Sequence, residues 1–130
     1  MRSVKNDDDI FGFVAYDSED QEVVVAFRGT NGLDFKNWYL NMKTDKVPYE
    51  DVDGALVHVG WYTGYQKLQD DIMTAVRDMI WNYQPKSIFV TGHSMGGALG
   101  LFAALDIKKN SGFLGRIQLY TYGQPRVGNN

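Results

Sequence analysis

The chain has 130 residues, of which 44% are hydrophobic and 22% charged, and its formal net charge is −3. This composition is typical of one folded domain, and the lack of excess basic residues disfavours nucleic acid as a partner. The absence of cysteine excludes disulfide and thiolate chemistry. The sequence shows neither a signal-peptide core nor an apolar run long enough to span a membrane, so it assigns the chain to no compartment.

The first residues predict a polar tail followed by a β-hairpin. Residues 1–9 are polar and acidic, and we expect a solvated, frayed terminus there rather than a metal site on its three aspartates. Residues 10–16 and 22–27 are rich in β-forming side chains and are separated by a turn sequence, which predicts two antiparallel strands. The second strand is apolar on both faces and is therefore expected near the centre of a sheet.

The hairpin is followed by a short glycine-containing loop, 28–32. Thr30 could offer its backbone N–H and its hydroxyl to a developing oxyanion, whereas the alternative is a structural turn with a structural arginine. Residues 33–42 carry aromatic side chains at helical spacing. This segment is either a lid that exposes apolar surface to lipid or part of the core.

The remaining pattern alternates between strands and helices. A second strand pair is predicted at 43–48 and 55–59, and a long core-facing helix at 62–83. Another strand at 87–91 precedes an apolar helix at 95–108, and a buried strand is expected at 117–122. Strand, helix and strand in succession indicate parallel pairing through a right-handed crossover, which places the chain in the α/β class with antiparallel strands on its N-terminal side.

The junction between that strand and helix, residues 92–96, has the pattern G-x-S-x-G. A sharp turn there lifts the Ser94 hydroxyl clear of the sheet and directs the Met95 N–H, at a helix N-terminus, toward developing negative charge. Gly92 and Gly96 leave the room that such a strained turn requires. The pattern predicts Ser94 as a nucleophile of acyl transfer.

Four stretches, taken together, resemble the class 3 lipases, the fungal-type triacylglycerol lipases of the α/β-hydrolase superfamily. They occur in the family's order: FRGT (27–30), VHVG (57–60), TGHSMGGAL (91–99) and YGQPRVGN (122–129). The resemblance implies a partial α/β-hydrolase fold over residues 10–130, with a mostly parallel central sheet and flanking helices.

The resemblance also implies roles for individual residues. Ser94 looks like the nucleophile, and Met95 and Thr30 look like the two oxyanion donors. Segment 31–42 is similar in position to the family's lid, which implies transient contact with a lipid surface. The implied substrates are acylglycerols or other carboxylic esters, hydrolysed through an acyl-enzyme without a metal or organic cofactor.

The sequence contains no obvious general base for Ser94. Its two histidines are His58, expected to make a structural hydrogen bond, and His93, whose side chain should leave the strand on the opposite face from the serine. Asp106, the acid after Ser94, is expected to be a solvated helix residue. In the family, the aspartate and histidine of the triad lie beyond the 122–129 loop, so we expect a central portion of a lipase domain. The alternative is a non-catalytic module that binds acyl ligands or a protein.

Overall fold

A computed structural model describes residues 1–5, 10–30, 40 and 45–129 of the chain. Most of the lid segment predicted at 31–42, and the three acidic residues at 7–9, lie outside the described residues. In the described parts, no helix is both long and apolar enough to cross a membrane. Their elements in chain order are β1 (Arg2–Lys5), β2 (Phe11–Asp17), β3 (Glu22–Phe27), β4 (Lys46–Pro48), β5 (Leu56–His58), α1 (Val59–Tyr83), β6 (Ser87–His93), α2 (Met95–Asn110) and β7 (Arg116–Tyr122).

The main sheet has five strands in the order β1-β2-β3-β6-β7. The first three pair antiparallel, and β3, β6 and β7 pair parallel. The hairpin, the central position of β3 and the parallel crossover through α2 are therefore confirmed, and so is the α/β class. The predicted second strand pair is also present, because β4 and β5 form a separate two-stranded antiparallel sheet.

Two sequence predictions about the margins of the sheet are wrong. Residues Arg2–Lys5 are not a frayed tail, because they form a strand that pairs with β2 and buries Val4. Among the described residues, strand β7 pairs with β6 on one side alone, so it lies at an edge of this sheet and is not buried, and Tyr120 and Tyr122 are more than half exposed. An apolar sequence run alone does not reveal whether a neighbouring strand covers it.

The two helices build the core on one face of the main sheet. Alternate strand residues, including Val25 of β3 and Val90 of β6, are fully buried on this face with Leu99 and Phe102 of α2. The residues between them point to the other face because side chains alternate along a strand, and several of these, such as Phe89 and Tyr120, are partly exposed. Core packing thus holds α2 against β6 and fixes the junction between them.

Helix α1 begins three residues before the sequence pattern predicts, at Val59 instead of Tyr62. The reason is an N-cap: the His58 ring accepts a hydrogen bond from the Gly60 N–H, which satisfies a donor in the first turn. The helix ends at Tyr83, and Gln84 adopts a left-handed conformation before Pro85. Its buried stripe, which includes Trp61, packs on β2 and α2.

Candidate active site

Ser94 sits at the turn between β6 and α2 in a backbone conformation that L-residues avoid. Its φ is +54° and its ψ is −123°, and it is the N-cap residue of α2. Two hydrogen bonds hold this geometry: the Ser94 N–H donates to the Tyr122 carbonyl at 2.8 Å, and the Ser94 carbonyl accepts from the Gly97 N–H at 3.0 Å. A non-glycine residue in this region costs about 1–3 kcal/mol, which the surrounding structure must offset. The strained turn between strand and helix that the sequence predicts is therefore present.

The side chain of Ser94 does not cap the helix that it precedes. Serine at an N-cap normally accepts a hydrogen bond from the first turn, whereas the Ser94 Oγ makes no such bond and is not used to cap the helix. The Met95 N–H, at the first position of α2, has no intrahelical acceptor, and the helix dipole favours negative charge beside it. The elbow thus brings a hydroxyl and an anion-stabilising helix end together.

The glycines of the elbow are required by close backbone contacts. A Cβ at Gly92 would lie 2.2 Å from the Gly96 carbonyl oxygen, and a Cβ at Gly96 would lie 2.2 Å from the Phe27 carbonyl oxygen. Both oxygens belong to the backbone, so neither can move away unless the backbone itself shifts. Both predicted elbow glycines therefore lie where side chains cannot fit. The absence of a side chain at Gly96 allows the start of α2 to pack directly against the end of β3.

The same contact brings the loop after β3 to the elbow. A Cβ at Gly29 would lie 2.7 Å from the His93 carbonyl oxygen and 3.5 Å from the Ser94 Cβ. The next residue, half-buried Thr30, donates a hydrogen bond from its Oγ1 to the Sδ of Met95 at 3.6 Å. Thr30, which lies 65 residues before Met95 in the sequence, is thus brought beside Met95 and the neighbouring Ser94. The sequence did not reveal the contact between the hydroxyl and the thioether.

Neither histidine is hydrogen-bonded to the Ser94 side chain in the described part of the chain. His58 is committed to the N-cap of α1, where its Nδ1 accepts from the Gly60 N–H at 3.1 Å, as the sequence predicted for a structural histidine. Burial lowers the pKa of His58, and its ring lies 5.3 Å from that of Trp61. His93 is exposed at the end of β6, next to Gly123. Among the described residues, no hydrogen bond joins either ring to the serine.

The prediction that Asp106 is a solvated helix residue is wrong. Its side chain is buried, with 6% of its surface exposed, and the carboxylate accepts hydrogen bonds from three groups. These are the Tyr65 hydroxyl at 2.6 Å, the Gln69 amide at 2.9 Å and the Asn110 amide at 2.6 Å. Burial and the Asp106 contact raise the pKa of Tyr65. The spacing of Asp106 from Phe102 places it on the apolar stripe of α2, a signal that could have predicted its burial.

This buried cluster ties α1 to α2 but does not reach the elbow. Tyr65 and Gln69 lie on α1, whereas Asp106 and Asn110 lie on the last turns of α2. The three hydrogen bonds donated to the Asp106 carboxylate replace those that water would make, so the group can be buried in the core. Within the described ranges, no group of three histidine or acidic side chains could hold a metal ion.

The final loop of the chain is fixed against the small sheet. The His58 N–H donates to the Val127 carbonyl at 2.8 Å, and the Asn129 side chain bonds the Leu56 N–H and the Gly54 carbonyl, each at 3.1 Å. The loop begins with Gly123, whose φ is +57°. Its start lies against the elbow, because a Cβ at Gly97 would lie 3.2 Å from the Gln124 Cβ.

Comparison with known proteins finds relatives that are described as lipases. The chain is 34% identical to a lipase from Rhizomucor miehei over 122 residues, which cover 92% of this chain and 33% of that protein. It is 36% identical over 120 residues to secreted mono- and diacylglycerol lipase 1 from Fusarium solani, covering 92% of this chain and 34% of that protein. The chain therefore spans about a third of the length of these two relatives.

Solved structures give the same result for the fold. The crystal structure of the lipase from Rhizopus microsporus var. chinensis superposes on the whole chain with a TM-score of 0.92 at 33% identity, and the match covers 46% of that structure. The family model described as Lipase (class 3) matches residues 24–130. With the elbow, the β3 loop and the final loop all inside the matched region, the chain belongs to the class 3 lipase family.

Proposed function

We propose that this chain carries the nucleophile and the oxyanion hole of a carboxylic ester hydrolase that acts on acylglycerols or related esters. The observation that supports this most strongly is the Ser94 elbow, where a strained backbone holds a serine side chain that does not cap the helix beside the N-terminus of α2. Strain of this kind is retained where function needs it. Family membership and the acylglycerol lipase among the relatives support the substrate class.

In the proposed reaction, the Ser94 Oγ attacks the ester carbonyl carbon, and the carbonyl oxygen takes up negative charge. The Met95 N–H, the Thr30 N–H and the Thr30 hydroxyl donate hydrogen bonds to that oxygen. Collapse of the tetrahedral intermediate breaks the bond to the alcohol, which leaves with a proton, and water then hydrolyses the acyl-enzyme by the same route. The Met95 N–H is fixed at the start of α2 before the reaction, so this donor needs little reorganisation as charge develops.

A serine needs a base to take its proton, and we infer that the base and its orienting acid lie in polypeptide outside these 130 residues. His58 is engaged in capping α1, and converting it to a base would remove that cap. In α/β hydrolases the acid and the histidine follow the nucleophile in chain order. The chain spans about a third of its lipase relatives, which leaves room for both.

We also propose that segment 31–42 contacts lipid surfaces transiently, as a lid would. Support comes from its aromatic residues at helical spacing and from its place in the sequence directly after the Thr30 loop. A helix with an apolar face next to an acyl-binding site can cover that site in water and open at an interface.

Hydrolysis of p-nitrophenyl butyrate and of emulsified acylglycerol by the protein, expressed with the polypeptide that follows Asn130 in its gene, tests the proposal. We expect Ser94→Ala to abolish turnover, whereas Ser111→Ala, at the other end of α2, leaves turnover unchanged. Turnover that survives in Ser94→Ala would refute the assignment of the nucleophile. A folded protein without turnover would favour the alternative, a module that binds acyl ligands or protein.

A further inference from the structure

The last turns of α2 line a cavity that lies far from the elbow. The cavity has a volume of about 260 Å³ and lies between α1, α2 and the residues that follow β4. Among its lining residues, Tyr65 and Asp106 are buried, whereas Glu50 and Lys109 are exposed at its mouth. From Ser94 to Asp106 the helix rises about 18 Å, at about 1.5 Å per residue. The cavity is therefore separate from the site proposed for ester hydrolysis.

Aromatic rings form one wall of the cavity. The half-buried rings of Tyr49 and Tyr62 meet edge to face, with their centroids 5.7 Å apart. Both rings also contact the buried ring of Phe102, at centroid distances of 6.0 Å and 5.4 Å. This packing fixes the two tyrosine rings before any ligand binds. The faces of aromatic rings carry partial negative charge and attract cations.

The cavity also holds a negative charge that the groups around it do not neutralise. In the described part of the chain, the Asp106 carboxylate accepts hydrogen bonds from one phenol and two amides, all of which are neutral. These donors fill three of the roughly four acceptor positions of a carboxylate and leave its charge in place. The cation at the mouth, Lys109, is paired with Asp51. A ligand that supplies positive charge, and needs few acceptors, would complete the site.

We propose that this cavity binds a small organic cation that carries a quaternary ammonium group, such as choline. A quaternary ammonium ion has a positive charge and no N–H, so it suits a carboxylate whose acceptor positions are mostly filled. Its methyl groups pack on the faces of aromatic rings, which is how proteins commonly recognise such cations. The cavity is smaller than the roughly 300–1,000 Å³ typical of pockets for drug-sized ligands, which favours a small ligand. The proposal does not rest on the proposed hydrolase.

Calorimetric titration tests the proposal in the protein expressed with the polypeptide that follows Asn130. The probes are choline chloride and dimethylbutanol, a neutral molecule of the same shape in which carbon replaces the nitrogen; sodium chloride controls for ionic strength. We expect saturable binding of choline with a Kd of about 1 mM or below, and at least about 10-fold weaker binding of dimethylbutanol because it lacks the charge. Amide NMR spectra should locate the shifts that choline causes at the cavity, including Phe102 and Gln69.

Substitutions at the wall and at the mouth should change the affinity in opposite directions. Tyr62→Leu removes a ring and should weaken choline binding about 10-fold, whereas Tyr62→Phe keeps the ring face and should bind like the parent. Tyr83→Leu, the same change at a tyrosine of α1 outside the cavity, should have no effect. Lys109→Gln leaves Asp51 unpaired at the mouth and should tighten binding about 2- to 3-fold. Thermal unfolding of each variant identifies any loss of binding that is due to loss of the fold.

Vesicles of phosphatidylcholine identify the source of the ammonium group. Sedimentation with these vesicles that free choline reverses would indicate a lipid headgroup, and binding of free choline alone would indicate a soluble cation. The proposal is overturned if choline shows no saturable binding, if dimethylbutanol binds as tightly, or if Tyr62→Leu leaves the affinity unchanged in a folded protein. None of these results would bear on ester hydrolysis, because Ser94 lies at the other end of α2.

Discussion

The backbone strain at Ser94 predicts that the Ser94→Gly variant is more stable to unfolding than the Ser94→Ala variant. Both changes delete the hydroxyl, and they differ in whether a Cβ remains at a φ of +54° and a ψ of −123°. A non-glycine residue in this conformation costs about 1–3 kcal/mol, and glycine loses about 0.5–1 kcal/mol more backbone entropy on folding. The difference between these two costs spans about 0–2.5 kcal/mol, and their middle values give an expected net gain of Ser94→Gly over Ser94→Ala of about 1 kcal/mol.

Thermal unfolding of the two variants measures this difference. For a chain of 130 residues, 1 kcal/mol corresponds to about 4 °C, so Ser94→Gly should melt roughly 4 °C above Ser94→Ala. Ser111 is a matched control because its φ is −82°, which alanine adopts without strain, and there the order of glycine and alanine should reverse. If Ser94→Gly melts at or below Ser94→Ala, the elbow is not strained and strain no longer supports a functional role for Ser94.

Three further predictions concern packing, the buried acid and pH. Gly96→Ala should lower the free energy of unfolding in urea by about 3 kcal/mol. Gly100→Ala is the control and should leave stability unchanged, because the atom nearest to its added Cβ lies 3.6 Å away. Equal effects of the two changes would contradict the close contact at Gly96. Asp106→Ala should cost about 2–3 kcal/mol because three donors lose their acceptor, and a cost below about 0.5 kcal/mol would count against the cluster. Burial lowers the pKa of folded His58 below its unfolded value, so stability should fall as pH drops below about 6.5. That pH dependence should weaken in His58→Asn, which keeps a capping side chain, but persist in His93→Gln.

The sequence was sufficient to predict most of the fold because its signals are local. The β-forming residues of β2 and β3, the helical period of α1 and the small residues of the elbow each predict an element that the structure contains. The order of strand, helix and strand was enough to predict parallel pairing of β6 and β7.

What the sequence could not predict depends on long-range contacts. Whether β7 lies at an edge depends on what pairs with its far side, and Arg2–Lys5 becomes a strand only because β2 offers a partner. Burial of Asp106 depends on hydrogen-bond donors from a second helix, whereas its charge alone predicts a side chain exposed to solvent. The bond from Thr30 to Met95 joins residues that only the folded chain brings together.

Covalent labelling by a fluorophosphonate tests whether Ser94 is a nucleophile whose base lies outside these 130 residues. The probe would be applied to the 130-residue chain, to the protein extended by the polypeptide that follows Asn130, and to the extended Ser94→Ala variant. Mass spectrometry of peptides would locate the label. We expect rapid labelling at Ser94 in the extended protein and little in the 130-residue chain or the variant. Equally rapid labelling of the 130-residue chain would place the base within it, and labelling that persists in Ser94→Ala would show that Ser94 is not the nucleophile.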